Sequence, residues 1–375
     1  MLYIGIDIVG EQNHLAWIDT STQSHSIEHY NTEQALYGRL RTLVSQGGGM
    51  YEIAKSYYVF DGATNFLQDS LQFRRDLNQI VGVSPKSLCL LPISIAVASS
   101  ISLPKGNNII CHYNKRELIT QTIKIENNED INELITKHDE ELGEDSIVRI
   151  LKDFMLQLYG VQISDAEAYS ILKNLLGEES YICNNSRIFL LNKDIEKALR
   201  KSGYVQRFIK NLIDAYIESG FISKSHTNVI MISDRISSHI VKKHLSLLSN
   251  NISTPQNPMT CVVTGCRNYL TGSKPFIIDR LQTDVEVHLS PKDVRILPCM
   301  TPISETITFA AKNDIVCKVG KAEYTLTFND VINQSENVTC IRLQFLYDNH
   351  QLKAKLDFID SNEKIIAQRE FKLYA

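Results

Sequence analysis

The residues whose types and spacing best fit a phosphate-binding turn are Asp7 and Gly10, near the amino end of the sequence. Residues 2–8 are apolar and rich in β-branched side chains, which predicts a strand that turns at Gly10 into a second strand over 14–18. In folds that transfer phosphate, the backbone amides of such a turn face a phosphate group. The other turn residues add bulk and a negative charge, so an ordinary β-hairpin stays open as an alternative.

Length and composition restrict the class of protein. The chain has 375 residues, enough for two domains and a large core. Apolar residues make up 43% and charged residues 22%, as in ordinary globular proteins, so neither disorder nor a coiled coil is predicted. A net charge of -4 and the lack of a basic cluster argue against a nucleic-acid partner.

The cysteine pattern and the amino terminus predict a cytoplasmic protein. Eight cysteines are scattered through apolar stretches without a C-x-x-C pair, which favours buried reduced thiols over disulfides or a zinc site. No basic region followed by an apolar core signals export. The uncharged segment 87–103 contains serines and prolines, so a strand and a buried helix explain it better than a membrane span.

Strands and helices alternate in the first third of the sequence. Residues 21–46 are polar and lead into a triple glycine at 47–49 without a P-loop lysine, which predicts a flexible connection. Beyond it the pattern predicts strands at 57–60, 88–91, 108–111 and 118–125, with helices at 64–80 and 93–101. This alternation is typical of a layered α/β domain.

The middle third is predicted to be helical. Asp145 is placed as the cap of an amphipathic helix that ends at Gly160, and residues 164–167 form a capping box for the next helix. A further helix or pair covers 193–219. Residues 229–232 read as a buried strand, followed by Ser233 and Asp234 as caps of a helix over 236–248.

After residue 300 the hydrophobic period changes from helical to alternating. Apolar residues alternate through 341–347, 352–358 and 365–373, with turn residues between these runs. This pattern predicts an antiparallel meander with one buried face, forming a separate all-β module.

Taken in order, these pieces resemble the DnaK-type heat-shock chaperones of the actin-like ATPase superfamily. Gly5-Ile6-Asp7-Ile8 resembles the first phosphate loop, G-I-D-L-G-T-T. Residues 88–98 are similar to I-I-N-E-P-T-A-A-A-I-A, 108–122 to the second phosphate loop, 229–241 to the adenosine motif and 293–297 to the interdomain linker D-V-L-L-L. The match runs collinearly through nearly the whole chain, and its specificity lies in that order.

The resemblance implies an α/β domain of two ribonuclease-H-like lobes over 1–292, a linker over 293–300 and a small antiparallel β-sandwich over 301–375. Only some forty residues separate the first loop from Tyr57, where the family has a whole further lobe, so that lobe is expected to be reduced. The sandwich is expected to be short and to lack a helical lid.

The departures from the family concern the nucleotide site. Asp7 is kept, but the family's catalytic glutamate is Leu91 and the aspartate of the second loop is Tyr113. Leucine can neither orient water nor accept its proton.

Glycines are replaced as well. Those of the second loop are Lys115, Arg116 and Glu117, whose long side chains are expected to fill the phosphate pocket. Those of the adenosine motif are Ser233 and Asp234. The remnant nucleotide cleft would then consist of Asp7, Gly10, Lys115, Arg116, Ser233 and Asp234, with Asp7 as the only remnant of the catalytic residues and no metal ligand.

These departures predict a DnaK-like, chaperone-related scaffold or peptide-binding module that does not hydrolyse ATP, with an unfolded peptide or a protein as its partner. No cofactor is expected. The alternative is an ATP-binding chaperone or nucleotide-dependent switch with weak ATPase activity, using Mg-ATP with Asp7, Lys115 and Arg116. A third interpretation is an actin-like protein of another lineage, such as a sugar kinase or a cell-division protein.

Overall fold

A computed structural model describes residues 1–8, 13–57, 66–126, 130–174, 180–183, 188–221, 226–272, 276–310, 314–334 and 337–373. The strands in these segments are β1 (Leu2–Asp7), β2 (Asn13–Asp19), β3 (Ser24–Tyr30), β4 (Tyr51–Tyr57), β5 (Leu88–Pro92), β6 (Gly106–Tyr113), β7 (Leu118–Ile125), β8 (Ile131–Asp139), β9 (Ser180–Cys183), β10 (Ile188–Leu191), β11 (Thr227–Ile232), β12 (Asn251–Ser253), β13 (Val285–Ser290), β14 (Asp293–Leu297), β15 (Thr306–Ala310), β16 (Ile315–Val319), β17 (Ala322–Leu326), β18 (Cys340–Asp348), β19 (Gln351–Ile359) and β20 (Ile365–Leu373).

The α-helices in the same segments are α1 (Glu33–Gln46), α2 (Phe66–Val81), α3 (Ile93–Ser100), α4 (Glu144–Tyr159), α5 (Asp165–Asn174), α6 (Asn192–Lys201), α7 (Tyr204–Glu218), α8 (Ser238–Leu245), α9 (Pro258–Thr271) and α10 (Asn329–Gln334). Within the described residues, no helix is both long and apolar enough to cross a membrane. The chain is a mixed α/β protein with several sheets.

Two five-stranded sheets share one topology. The first has the order β3-β2-β1-β4-β5, and the second has the order β12-β11-β6-β7-β8. In each sheet the first three strands in sequence pair antiparallel and the last two add parallel to the first strand. Numbered within its own sheet, each therefore runs 3-2-1-4-5. We call each sheet with its helices a lobe.

The two lobes meet through helices α3 and α9. Side chains on one face of the second sheet, including Ile110 and Ile230, join the core of the first lobe, while Ile109 and Val229 face the other core. Successive strand residues point to opposite faces, so β6 and β11 each contribute to both cores. The second sheet is therefore buried on both faces.

Two glycines allow α9 to pack this closely. A Cβ atom on Gly5 would lie 2.4 Å from the Val263 carbonyl oxygen of α9, and one on Gly265 would lie 1.8 Å from the Ala96 carbonyl oxygen of α3. Both distances are too short for non-bonded heavy atoms, so any side chain would push the helix away. Gly5, which resembles part of a phosphate loop, thus has a packing role.

The C-terminal part of the chain consists of two four-stranded sheets, β14-β13-β16-β17 and β15-β18-β19-β20, which we call the β-region. The two sheets share one core that includes Val287, Cys317, Leu343 and Phe358. The predicted meander is confirmed, because β18, β19 and β20 pair antiparallel in sequence order.

The prediction of a linker over 293–300 was wrong for residues 293–297. Asp293–Leu297 is strand β14, which pairs antiparallel with β13. The apolar residues of this segment belong to a strand at the edge of a sheet, in which Leu297 is buried, and not to an extended connection. Strands of the β-region therefore begin at Val285, before the predicted boundary of 292.

The prediction for residues 21–46 also needs correction. The segment is not a flexible connection, because it holds β3 and helix α1, which Thr32 caps. Leu36, Leu40 and Leu43 form a buried stripe at helical spacing that the polar composition obscured. Gly48 and Gly49 have φ angles of +58° and +87° and form the tight turn into β4, a conformation that favours glycine.

Most other predicted elements were found, with shifted ends. The strand expected at 57–60 lies at Tyr51–Tyr57, and residues 58–60 fall outside the described segments. The capping box of α5 is confirmed, since Ser164 and Glu167 exchange hydrogen bonds of 2.8 and 3.2 Å. Asp145 lies inside the first turn of α4, whose cap is Gly143.

Candidate functional site

The remnant cleft is a small cavity between the lobes. The central strands β1, β6 and β11 end there, and α9 begins beside them, so the carboxyl ends of strands from both sheets face one space. The cavity has a volume of about 50 Å³, and its lining includes Asp7, His14, His112, Ser233 and Asp234. Three of the residues predicted from the sequence are therefore brought together, and two histidines join them.

Asp7 is the last residue of β1 and only 6% of its surface is exposed. Its Oδ1 atom accepts a hydrogen bond of 2.7 Å from the hydroxyl of Ser56, near the end of the neighbouring parallel strand β4. The hairpin predicted at this point is confirmed, because β1 and β2 pair antiparallel. Gly10 lies outside the described residues.

His14 stands directly opposite Asp7 in the register of β1 and β2, so the two side chains share a face of the sheet. It is 3% exposed, and neither ring nitrogen has a hydrogen-bond partner in the described part of the chain. Removal from water lowers the pKa of His14, while the charge of Asp7 opposes that change. The imidazole is therefore neutral at neutral pH.

His112 belongs to β6 and faces the same cavity. Burial lowers its pKa, and the negative charges of Asp7, Glu117 and Asp234 act in the opposite direction. The sequence analysis missed both histidines, although the pairing of Asp7 with His14 follows from the hairpin once its turn is counted. His112 carried no comparable signal, because the residues of β6 were interpreted only by their likeness to a phosphate loop.

Ser233 and Asp234 follow β11 and are engaged by Arg235. The guanidinium of Arg235 lies 2.9 Å from Asp234 Oδ2, and its backbone N–H donates to the Ser233 hydroxyl at 3.1 Å. A second interaction links Arg235 to the buried carboxylate of Glu144, at 4.0 Å. These contacts occupy the side of the cavity that belongs to the second lobe.

Behind Arg235 lies a buried network that includes Tyr113, the residue that the resemblance aligns with an aspartate of the chaperones. The hydroxyls of Tyr113 and Ser237 are 2.6 Å apart, and Glu144 Oε1 accepts hydrogen bonds of 2.9 and 2.8 Å from the backbone N–H and hydroxyl of Ser237. Burial raises the pKa of Tyr113 well above its usual value. Tyr113 is therefore a neutral partner that supplies no acid for a metal ion.

Lys115 and Arg116 do not line the cavity. They form the turn between β6 and β7, in which Asn114 Oδ1 accepts hydrogen bonds from the backbone N–H groups of Arg116 and Glu117, at 2.8 and 3.0 Å. Gly143 packs against the Arg116 backbone, where a Cβ atom would meet it at 2.1 Å. The expectation that the long side chains of Lys115 and Arg116 fill the pocket is therefore corrected, because these residues belong to a tight turn that packs against Gly143 and lies outside the lining of the cavity.

The chemistry open to the cavity is limited. Among the described residues, no group of three or more His, Cys, Asp or Glu side chains is arranged to hold a metal ion. Asp7 and His14 offer polar atoms to a small molecule, but the volume of the cavity admits only something far smaller than a nucleotide.

No protein-family model matches the sequence, and a search of curated proteins finds no relative. The functional interpretation therefore depends on the residues and their geometry.

Proposed function

We propose that this protein is a DnaK-like, chaperone-related scaffold in which an actin-like ATPase core has lost ATP hydrolysis and a small β-sandwich remains. The repeated 3-2-1-4-5 order of the two lobes supports the actin-like part of the proposal. The two four-stranded sheets around one core support the β-sandwich. The cytoplasm is the compartment that we propose.

The observation that carries the proposal is the size of the cavity between the lobes. Sites for drug-sized ligands and cofactors have volumes of about 300–1,000 Å³. The cavity beside Asp7 has about 50 Å³. A triphosphate with its metal ion needs several times this space, so the lobes would have to separate before a nucleotide could enter.

The loss of acids supports the same conclusion. Leu91, at the position of the family's glutamate, is fully buried in the core of the first lobe. Tyr113 is committed to its hydrogen bond with Ser237. Phosphoryl transfer depends on carboxylates that hold the metal and orient water, and Asp7 is the one residue of this kind that the resemblance retains.

The partner we propose is an extended peptide with apolar side chains. Within the described residues, β14 pairs only with β13 and β15 only with β18, so both strands are sheet edges with unpaired backbone groups. Between them and α2 lies a groove of about 500 Å³. Val294 and Ile296 are 40% and 41% exposed beside it. An exposed sheet edge of this kind can bind an extended peptide as an additional strand.

Enzyme assays test the first part of the proposal. We expect purified protein with ATP and Mg²⁺ to show no turnover above background, and calorimetric titration with millimolar ATP or ADP to show no binding heat. Binding heat without turnover would favour the nucleotide-dependent switch. Steady turnover that Asp7→Asn abolishes would refute the scaffold.

A fluorescence anisotropy titration with labelled apolar peptides tests the second part. We expect weak, fast binding that Ile296→Asp removes. Ile213→Asp is the matched control, because Ile213 is exposed to a similar extent, 39%, on α7. Equal loss in both variants, or no binding by the native protein, would contradict the peptide groove and leave the result on ATP unaffected.

A further inference from the structure

A larger cavity, of about 270 Å³, lies where the first lobe meets the β-region. Two half-buried cysteines line it, Cys89 on β5 and Cys299 just after β14. The ion pair of Arg74 with Asp284 lines the same cavity. Two thiols from distant parts of the sequence thus face one space.

Both thiols lie within electrostatic range of the same two side chains. Each thiol interacts electrostatically with the Arg74 guanidinium and with the hydroxyl of Tyr269. The hydrogen bonds of the thiols are weak, since Cys89 donates to the Leu90 carbonyl at 3.4 Å and Cys299 to the Gln282 carbonyl at 3.3 Å.

Arg74 gives this cavity an unused donor. It is 5% exposed, and its two terminal nitrogens donate to Asp284 at 2.7 and 2.8 Å. Its Nε–H has no hydrogen-bond partner in the described residues. An unsatisfied buried donor is costly, and a thiolate or a sulfenate in this cavity would supply its acceptor.

Asp284 fixes the geometry of the second cysteine. The same carboxylate that binds Arg74 also accepts a hydrogen bond of 2.7 Å from the backbone N–H of Cys299. The position of Cys299 is therefore tied to Arg74 on α2, within the lobe that carries Cys89.

We propose that Cys89 and Cys299 are a redox pair that hydrogen peroxide converts into a disulfide between the first lobe and the β-region. One thiolate attacks a peroxide oxygen, so that an S–O bond forms, the O–O bond breaks and the departing hydroxide takes a proton to become water. The other thiolate attacks the sulfenic sulfur, the S–S bond forms and hydroxide leaves as a second water. Sulfur loses two electrons in total and peroxide gains them.

The disulfide would hold together a junction that otherwise depends on non-covalent contacts. Arg74 with Asp284 and Lys86 with Glu286 are the ion pairs that join the first lobe to the β-region beside this cavity. Separation of the β-region from the first lobe is then blocked under oxidising conditions. A small thiol such as glutathione restores the pair by exchange.

Peptide mapping of the oxidised full chain tests the proposal. Trypsin places Cys89 in peptide 87–105 and Cys299 in peptide 296–312, each with one cysteine. After peroxide treatment and blocking of the remaining thiols, we expect the linked pair of these peptides, about 2 Da lighter than their sum. The number of thiols that react after denaturation falls from eight to six.

Variants identify the pair. Cys89→Ser and Cys299→Ser should each abolish the linked peptides, whereas Cys340→Ser, which removes another half-buried thiol, should leave them unchanged. Disulfides to other cysteines, or thiols at 89 and 299 that stay reduced while Cys340 is oxidised, would overturn the proposal. The result with the native chain decides the question even if a variant fails to fold.

Discussion

Arg280 and Glu133 form an ion pair in which both residues are almost fully buried, at 3% and 8% exposure. The Arg280 Nε atom donates to Glu133 Oε2 at 3.0 Å, and its Nη1 atom donates to the Met300 carbonyl at 3.0 Å. The hydroxyl of Ser94 donates to the other carboxylate oxygen. One buried pair thus joins β8, α3 and the segments before and after β14.

Removing one partner of this pair should be strongly destabilising. Glu133→Gln removes the carboxylate that is paired with the buried Arg280 guanidinium, which costs about 3–5 kcal/mol. Chemical denaturation at neutral pH measures the loss. Glu141→Gln is the control, because Glu141 pairs with Arg149 at 2.9 Å on the surface and its loss should cost under about 1 kcal/mol. Equal losses of stability in the two variants would show that the buried Arg280 does not depend on Glu133 as its counter-ion.

The glycines that face α9 give a second prediction. Gly5→Ala should destabilise the fold by about 1–3 kcal/mol, since its Cβ atom would lie 2.4 Å from the Val263 carbonyl oxygen. Gly38→Ala on α1 is the matched control, because nothing lies within 4 Å of its added Cβ. Alanine in a helix is favoured by about 1 kcal/mol over glycine, so this variant should gain stability. A stable Gly5→Ala protein would contradict the close approach of α9.

Local patterns predicted elements better than they predicted the site. The alternation in β18 and β19 identified a meander because each strand buries one face, and a run of apolar, β-branched residues placed Asp7 at the end of a strand. Local patterns failed to predict helix α1, because its three buried leucines are surrounded in the sequence by polar residues. The prediction also failed at β14, because the resemblance of residues 293–297 to an interdomain linker led us to place them outside the sheet.

The interior of the cavity could not be predicted, because it depends on contacts between distant segments. Arg235, which lines the cavity beside Asp7, reaches Glu144, which is nearly a hundred residues away in the sequence. The sequence pattern placed the long side chains of Lys115 and Arg116 in the turn after β6, where they were expected to fill the cavity. It did not show that Gly143 packs against the backbone of Arg116 and Glu117.

Asp279 should reduce stability at neutral pH. Burial raises its pKa to about 6, and its Oδ1 atom has no hydrogen-bond partner among the described residues. Because the folded pKa lies above that of the unfolded chain, the folded state binds the proton more tightly, and stability falls as the pH rises from about 4 to 6.

Asp279→Asn removes this cost. We expect the variant to be more stable than the native protein by about 1–3 kcal/mol at pH 7.5 and the difference to shrink at pH 4.5. Urea denaturation at both values of pH measures it, with Asp293→Asn at the exposed pair with Arg295 as control. A variant that loses stability at pH 7.5 would mean that the Asp279 carboxylate has a favourable partner.

His14 should make the fold sensitive to acid in the opposite direction. Its pKa is lowered by burial, with the His29 ring adding to the effect and the charges of Asp7 and Asp234 opposing it. As the pH falls below about 6.5, the unfolded chain binds a proton that the folded chain does not bind, so stability is lost at up to about 1.4 kcal/mol per pH unit.

His14→Leu should remove this part of the dependence of stability on pH between pH 7.5 and 5.5, whereas His25→Leu on the exposed part of β3 should keep it. At pH 7.5 the His14→Leu protein should be at least as stable as the native one, because two unsatisfied buried nitrogens disappear. A large loss of stability with an unchanged slope would instead mean that His14 binds an ion or a ligand in the cavity between the lobes.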